Sequence, residues 1–592
     1  MGLLQKAVET YDAMSHRVGI VYAEEKEPLA PIGHIMARAQ IEITLDQDGN
    51  FVTGRVVDIE EPRIIIPATE RSTGSRSGTK PPAHPLCDEL KYVAPYDVEK
   101  HSDYINQLQQ WAGSEFSHPK LLAILSYVQK ETILQDLAKY NLIQLREDGK
   151  PKNEKFLIRW VVNGLGEDTN GPCWTDHSLM QSFIDYYETT RKSDMAPTLC
   201  MVSGTNEVPV EKHPKGIIPG AVTLISSNDK EGFTFRGRFD TAWQAATVGY
   251  MASQKAHNAL RWLVSNQAVF IGSRAFLCWN PQGHKVPPVT GPMARKKEKN
   301  RAATPTEYSQ QLKKALSGWK ETLPPQAGVI IVAFDAPSNP GRLAVTYYNE
   351  LLASDFLDRL YRWEKTCVWE NGPLGVQSPD LRQIIGWAFG TPRNGKVETD
   401  ERILSQQMQR LIACRVDCSP FPLDMERNLV ERASNLLLYE GNHRQNLLFT
   451  ACAAIKKYRY DHFKEEWGMA LDKECTDRSY LFGRLLAIAD TVESSTYSGD
   501  NSRETNAMRL QKAFALRPMS GWRILEEKLV PYYKQLSPGL RQYYRRMTQE
   551  VVDKLTVSDT DLNQKLDDIY LLGYYHQRAY RSEKSNQTGT EE

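Results

Sequence analysis

Several features that would settle a function at once are missing from this sequence. Net charge is missing, since 73 Lys plus Arg balance 73 Asp plus Glu over 592 residues. The whole chain therefore points to no partner, and any anion-binding site has to be a local patch. No apolar run approaches the length of a membrane span. The opening stretch, MGLLQKAVETYDAM, reads as an amphipathic helix rather than the apolar segment of a secretory signal. Gly2 lacks the downstream Ser or Thr that myristoylation requires. The nine cysteines are odd in number and scattered, which argues against a disulfide framework and for a reducing compartment. A cytosolic location is expected.

Catalytic signatures are missing too. There is no HExxH, no GxSxG and no paired-carboxylate pattern. The nearest approach is GTPRNGKV at 390–397, which has the spacing of a phosphate loop. Val397 stands where a hydroxyl should hold Mg²⁺, and Pro392 removes an N–H from the cradle. A nucleotide-driven enzyme using Lys396 is the weakest reading. Cys414 and Cys418 are four apart, but no second Cys or His pair lies near them, so free thiols are expected. His177, His257 and His576 sit in apolar surroundings and read as core residues. No enzymatic activity, cofactor or metal is expected.

What is present is pattern. A chain this long exceeds one core and should divide into about two to four domains. Residues 38–59 alternate apolar and polar on both sides of Asp48-Gly49, a hairpin signal. An apolar period of helical spacing predicts a helix over 118–140 and another over 243–264. Strands are expected at 154–164, 272–280 and 328–337, the last fully buried, with 341–350 pairing beside it. Proline-rich residues 281–306 interrupt them as a solvated, mobile insertion. After 349 helix follows helix. One apolar face comprises Leu481, Leu485, Ile488 and Val492, a second Leu540, Tyr544, Met547, Val551 and Leu555, and a third Leu562, Leu566 and Ile569. The fold class is α+β: a mixed α/β N-terminal part with short antiparallel sheets, followed by an all-α C-terminal helical bundle. The expected domains are 1–348, with the basic insertion near 281–306, a helical connecting region 349–468, and a bundle 469–592.

Three groups of cations can reach phosphate. In the first, TERSTGSRSGTKPPAHP, Arg71, Arg76 and Lys80 stand among hydroxyls and glycines with nothing apolar to bury. Gly74 and Gly78 let backbone N–H groups approach a ligand closely, and Ser and Thr donate to phosphates or base edges. The second is Arg295, Lys296, Lys297, Lys299 and Arg301. The third is helical: Arg541, Arg545 and Arg546, then Arg578 and Arg581 beside tyrosines, a mixture that suits single strands. Cations without catalytic groups favour binding over chemistry.

Five segments together resemble one family. They are SRSGTKPPAHPLCDELKYVAPY, GSRAFLCWN, AGVIIVAFDAPSNPGRLAVTYYNELL, RSYLFGRLLAIADTVE and LLGYYHQRAY. They are similar to the large subunit of the type I-C CRISPR surveillance complex (Cascade), the Csd family. The resemblance implies a non-catalytic subunit that reads the protospacer-adjacent motif on duplex DNA, helps to open the duplex, steadies the displaced strand and recruits the helicase-nuclease. It implies crRNA, target double-stranded DNA, a crRNA-processing foot subunit, repeated backbone subunits and a small helical subunit as partners. It assigns motif reading to Arg71, Ser72, Thr73, Arg76, Ser77, Gly78, Thr79 and Lys80, with the other basic groups bordering DNA backbone or displaced strand. It also implies that the small subunit starts inside this gene. Met469 fits that start, because KEEWGM encodes a purine run just upstream, whereas Met508, Met519 and Met547 begin inside or after a helix the bundle needs. The competing reading is a helical protein-binding scaffold without direct DNA contact.

Overall fold

In a computed structural model of the chain, residues 2–73, 81–166, 170–210, 212–227, 237–293, 301–393, 396–497, 503–555 and 561–588 are described, with their side chains except at 396 and 581–588. Two units emerge, Met1–Lys285 with Gly328–Glu350, and Val286–Ala327 with Leu351–Glu592. The architecture is α+β: four-stranded sheets belong to the first unit and helices dominate the second.

The amphipathic N-terminal pattern becomes helix α1 (Leu3–Ala13), which buries Ala7 and Tyr11. Strand β1 (His34–Ala37) pairs antiparallel with β4 (Ile64–Pro67). Between them, β2 (Ile41–Leu45) and β3 (Phe51–Val56) form the expected hairpin. Gly49 turns it at φ +71°, and a Cβ there would lie 2.4 Å from the Ala123 carbonyl oxygen, so glycine is required twice over. Helices α2 (Val98–Ala112), α3 (Pro119–Val128) and α4 (Ile133–Lys139) follow. One helix was expected over 118–140. It divides because Glu131 adopts a left-handed φ of 57°, while Lys130 turns aside to the Gly49 carbonyl and the Asn50 side chain, both at 2.7 Å. Strand β5 (Ile158–Val162) lies parallel to β2, and β6 (Gly171–Pro172) completes the order β3-β2-β5-β6. The α-helical connection between β2 and β5 is what a parallel pair demands.

Helix α5 (His177–Asp194) and helix α6 (Tyr250–Gln267) come next. The latter starts later than its apolar period predicts, because Val248 and Tyr250 bond as extended backbone to Val210 and Val208. The second sheet runs β7 (Val269–Ile271), β8 (Arg274–Trp279), β9 (Gly328–Asp335), β10 (Ala344–Leu352) in that order. Val329 through Phe334 are all buried, as the apolar run predicts. The Trp279 indole donates to Thr10 Oγ1 at 3.0 Å and ties this sheet to α1.

The second unit comprises α7 (Pro305–Thr322), α8 (Ala353–Thr366), α9 (Leu381–Phe389), α10 (Glu401–Val416), α11 (Leu423–Ala433), α12 (Asn442–Phe463), α13 (Arg478–Ser494), α14 (Asn506–Leu516), α15 (Pro518–Gln535), α16 (Pro538–Val552) and α17 (Tyr570–Thr588), with short ribbons between some of them. The described flanks of the basic insertion differ from the solvated linker expected there. Val289, Met293 and Ala302 are buried. Arg415 pairs with Glu364 at 2.8 Å where both side chains are 2% exposed. The same guanidinium donates to the carbonyls of Val289 and Gly291, and Glu364 accepts from the Met293 N–H. Apolar anchors and a buried ion pair thus hold the approach to the cationic run.

Helix α13 is buried along its whole length from Ser479 to Glu493, so its apolar face is one side of a helix enclosed all round. Its crossing with α17 depends on two glycines. A Cβ on Gly483 would sit 1.9 Å from the Tyr570 carbonyl oxygen, and one on Gly573 would sit 2.2 Å from that of Tyr480. The third expected apolar face is not helical. Residues 561–569 are irregular, Leu566 and Ile569 are buried, and Leu566 N–H bonds to the Ala515 carbonyl at 2.8 Å. The chain meets its neighbours there through backbone bonds, and the helix begins only at Tyr570.

Near that start one carboxyl hydrogen-bonds a second that an arginine holds. Asp568 accepts from Arg459 Nε at 2.9 Å, and the buried Glu426 on α11 hydrogen-bonds Asp568. Burial, then the charge of Asp568, pushes the Glu426 carboxyl up to about 8. In the unfolded chain it would ionise near ~4.3. The folded state therefore holds the proton more tightly. This contribution is complete below the unfolded value and is lost as pH rises through about 8.

The glycine crossing and the carboxyl pair can each be tested. Gly483→Ala and Gly573→Ala should each lower stability by about 1–3 kcal/mol in urea unfolding, although alanine favours an isolated helix by about 1 kcal/mol. An unchanged or raised midpoint would contradict the close crossing. Glu426→Gln should flatten the decline in unfolding midpoint between pH 5 and pH 8, and a decline equal to wild type would show that Glu426 does not carry it.

Candidate nucleic-acid interface

The stretch that links β4 to the helical turn Leu90–Val93 is fixed at both ends. On its incoming side Glu70 is buried. Its carboxylate accepts from Arg191 of α5 and, at 2.7 Å, from the backbone N–H of Lys212. Its own N–H donates to Tyr187 Oη at 3.0 Å. Ser72 is 1% exposed. Its Oγ accepts from Thr69 N–H at 2.9 Å and lies 2.8 Å from His84 Nδ1, so this hydroxyl is engaged within the loop base. On the outgoing side Ala83 N–H donates to Asp103 at 2.8 Å and His84 N–H to Asp88 at 2.7 Å. Arg71 is exposed and Thr73 partly buried, whereas Arg76, Ser77, Gly78, Thr79 and Lys80 lie outside the described residues.

A cleft of about 570 Å³ opens beside this base, lined by Ser72, Thr73 and His84 together with Arg63, Lys215 and Arg261. Arg261 projects from α6 and donates to the carbonyls of Gly216 at 3.2 Å and Lys215 at 2.5 Å. Those bonds shape a turn in which Gly216 and Gly220 take φ +78° and +115°. Arg63 pairs with Glu27 at 2.5 Å, and Ser265 Oγ donates to the other Glu27 oxygen at 3.0 Å. Lys215 makes no ion pair among the described residues. Burial lowers the Arg261 pKa; Glu27 opposes the shift and the like charge of Arg63 adds to it. Among the described lining residues three cations thus face one carboxylate. Sequence reading missed them because they come from distant segments without a shared motif; the one local signal was Lys215 inside HPKGIIPG, with a glycine at each turn.

In the second unit, Arg295, Lys296, Lys297 and Lys299 lie outside the described residues, and Arg301 is exposed. The helical cations divide by use. Arg541 donates to the carbonyls of Tyr533, Lys534 and Leu536 at 2.7, 3.1 and 3.2 Å and so caps the end of α15. Arg578 pairs with Asp490 at 3.0 Å and donates to Tyr574 Oη at 2.9 Å. Tyr574 is buried, and Tyr575 donates to the Glu370 carbonyl at 2.8 Å; neither ring is offered for stacking. Arg545 and Arg546 are exposed, and the Arg545 guanidinium lies 5.6 Å from the Tyr533 ring centre. Arg581 is on α17, its side chain outside the described residues. Met469 falls in the irregular connection between α12 and α13.

The remaining chemical motifs take structural places. Residues 390–397 follow helix α9 and enter a two-stranded ribbon, Thr391–Arg393 with Lys396–Glu398, instead of leading from a strand into a helix. Cys414 donates to the Pro420 carbonyl at 3.3 Å, and burial pushes its thiol up to about 12. His257 and His576 are buried, bonded to the Ser253 carbonyl and to Tyr480 Oη, each at 2.8 Å. Burial lowers both to about 4. His177 departs from its reading as a core residue, since it is exposed at the first position of α5. Among the described residues no group of three metal-ligating side chains gathers, and no helix is long and apolar enough to cross a membrane.

A family profile described as CRISPR-associated protein Csd1 matches residues 8–581. The chain belongs to the Csd1 family of CRISPR-associated proteins. No curated protein matches it.

The division among helical cations is testable by thermal unfolding. Arg541→Ala should destabilise by about 1–3 kcal/mol, because three carbonyls lose their donor. Arg545→Ala with Arg546→Ala should stay within about 0.5 kcal/mol of wild type. Equal losses in the two variants would overturn the distinction.

Proposed function

We propose that the chain is the large, non-catalytic subunit of a type I-C CRISPR surveillance complex, and that residues 71–80, apart from the buried Ser72, read the protospacer-adjacent motif on duplex DNA. The observation that carries this reading is a cationic, hydroxyl-rich stretch whose two ends are fixed by Glu70, Ser72, Ala83 and His84, beside a cleft with surplus positive charge. Fixing the two ends of a segment lowers the conformational entropy left to lose on binding. Arginine among hydroxyls suits guanine edges and phosphates alike. Discrimination beyond a short motif then falls to pairing by the crRNA.

In this reading the chain helps to open the duplex and recruits the helicase-nuclease. Its partners are crRNA, target DNA, the foot subunit, the repeated backbone subunits and a small helical subunit. Arg301, Arg545 and Arg546, exposed in the second unit, are the described cations best suited to the displaced strand. Translation from Met469 would begin between helices and yield α13 to α17 intact.

Selection from a duplex library randomised at the motif, using the full-length chain, tests the central role. Wild type should enrich one short motif, and Arg76→Ala with Lys80→Ala should enrich none while unfolding at the wild-type temperature. Enrichment of the same motif by the double variant would refute the assignment.

A further inference from the structure

The cleft at the loop base has a chemistry of its own. Its cations come from three separate segments, with Arg63 just before β4, Lys215 in the glycine-flanked turn and Arg261 on α6. Glu27 is ion-paired with Arg63 at 2.5 Å and acts on Arg261 only through its charge. Arg261 is fixed by two carbonyls, so its charge is immobile, and Lys215 is held by the same bonds through its own backbone. This is a preorganised excess of positive charge, and it would cost little reorganisation when an anion arrives. Among the described residues the lining supplies no exposed aromatic face: His84 is its one aromatic ring, and that ring is buried against Ser72. A free nucleotide would find nothing among them on which to stack its base. A chain of phosphodiesters needs no such platform, since cations and N–H groups fix its register without reading sequence.

We infer that the cleft formed by Arg63, Lys215 and Arg261 binds the sugar-phosphate backbone of the same DNA duplex whose motif lies against residues 71–80. The inference rests on the reading of that loop as DNA-facing. The two features then play different parts, because the loop discriminates while the cleft grips without regard to sequence. Lys215 is the contact to vary, because Arg261 also holds the turn and Arg63 also satisfies Glu27.

The test is a titration of full-length chain with two duplexes, one carrying the selected motif and one scrambled, at salt from about 50 to 200 mM. Lys215→Glu should weaken binding to both duplexes by a similar factor, about tenfold, and Lys215→Ala should reduce the log affinity–log salt slope by about 0.9, the value of one phosphate contact. The ratio between the duplexes should stay at its wild-type value. Unchanged affinity and slope would overturn the inference. A loss confined to the motif-bearing duplex would also overturn it, since the cleft would then read bases. In the same titration Arg76→Ala with Lys80→Ala should erase the ratio. If that variant keeps the ratio while the Lys215 variants lose affinity for both duplexes, the loop assignment fails and the grip stands. A wild-type chain that binds neither duplex sinks both.

Discussion

The first unit's candidate interface depends on one buried carboxylate. Glu70 meets Arg191 and the Lys212 N–H at the point where β4 gives way to the basic stretch. Breaking such a buried pair by removing one partner costs about 3–5 kcal/mol, because a charge is left without its counterpart. The pair does more than resist unfolding. It connects the loop base to α5 and to the segment that turns at Gly216, and Arg191 also stands 4.5 Å from the Tyr250 ring at the start of α6. Loop base and cleft wall are thereby held in one frame. A neutral chain concentrates its electrostatics locally by this means, with acids placed inside as struts and surplus cations left beside them.

The same division explains why a count of arginines misleads. On α16, Arg541 and Arg545 are one turn apart in sequence, yet the first is committed to three carbonyls and the second is exposed. Arg415 is buried against Glu364 and pins the approach to the basic insertion. Cationic heads bound to carbonyls or carboxylates hold the fold together, and those facing water are left available to an anionic partner. Only the three-dimensional arrangement separates the two kinds.

Local patterns were legible in the sequence wherever one physical rule dominates. Alternation about Asp48-Gly49 specified the hairpin, and the apolar run at 328–335 specified a buried strand. Misreadings arose where tertiary bonds override period. Glu131 breaks a continuous apolar stripe, Val248 and Tyr250 are drawn into extended pairing, and 561–569 packs through backbone bonds rather than as a helix. The glycine crossing of α13 with α17 was visible only as two glycines in segments that carry the family likeness, RSYLFGRLL and LLGYYHQRAY. The loop residues were singled out by composition, because a segment with nothing apolar to bury stands out. The cleft cations were not found, because no periodicity relates Arg63, Lys215 and Arg261; the fold alone brings them to one place.

Amide hydrogen exchange of the full-length chain, with and without duplex DNA carrying the selected motif, examines the central claim most directly. DNA should slow exchange across residues 71–80 and 214–220 together, while the enclosed helix α13 keeps its rate. Exchange at both segments unaltered by saturating duplex would contradict it.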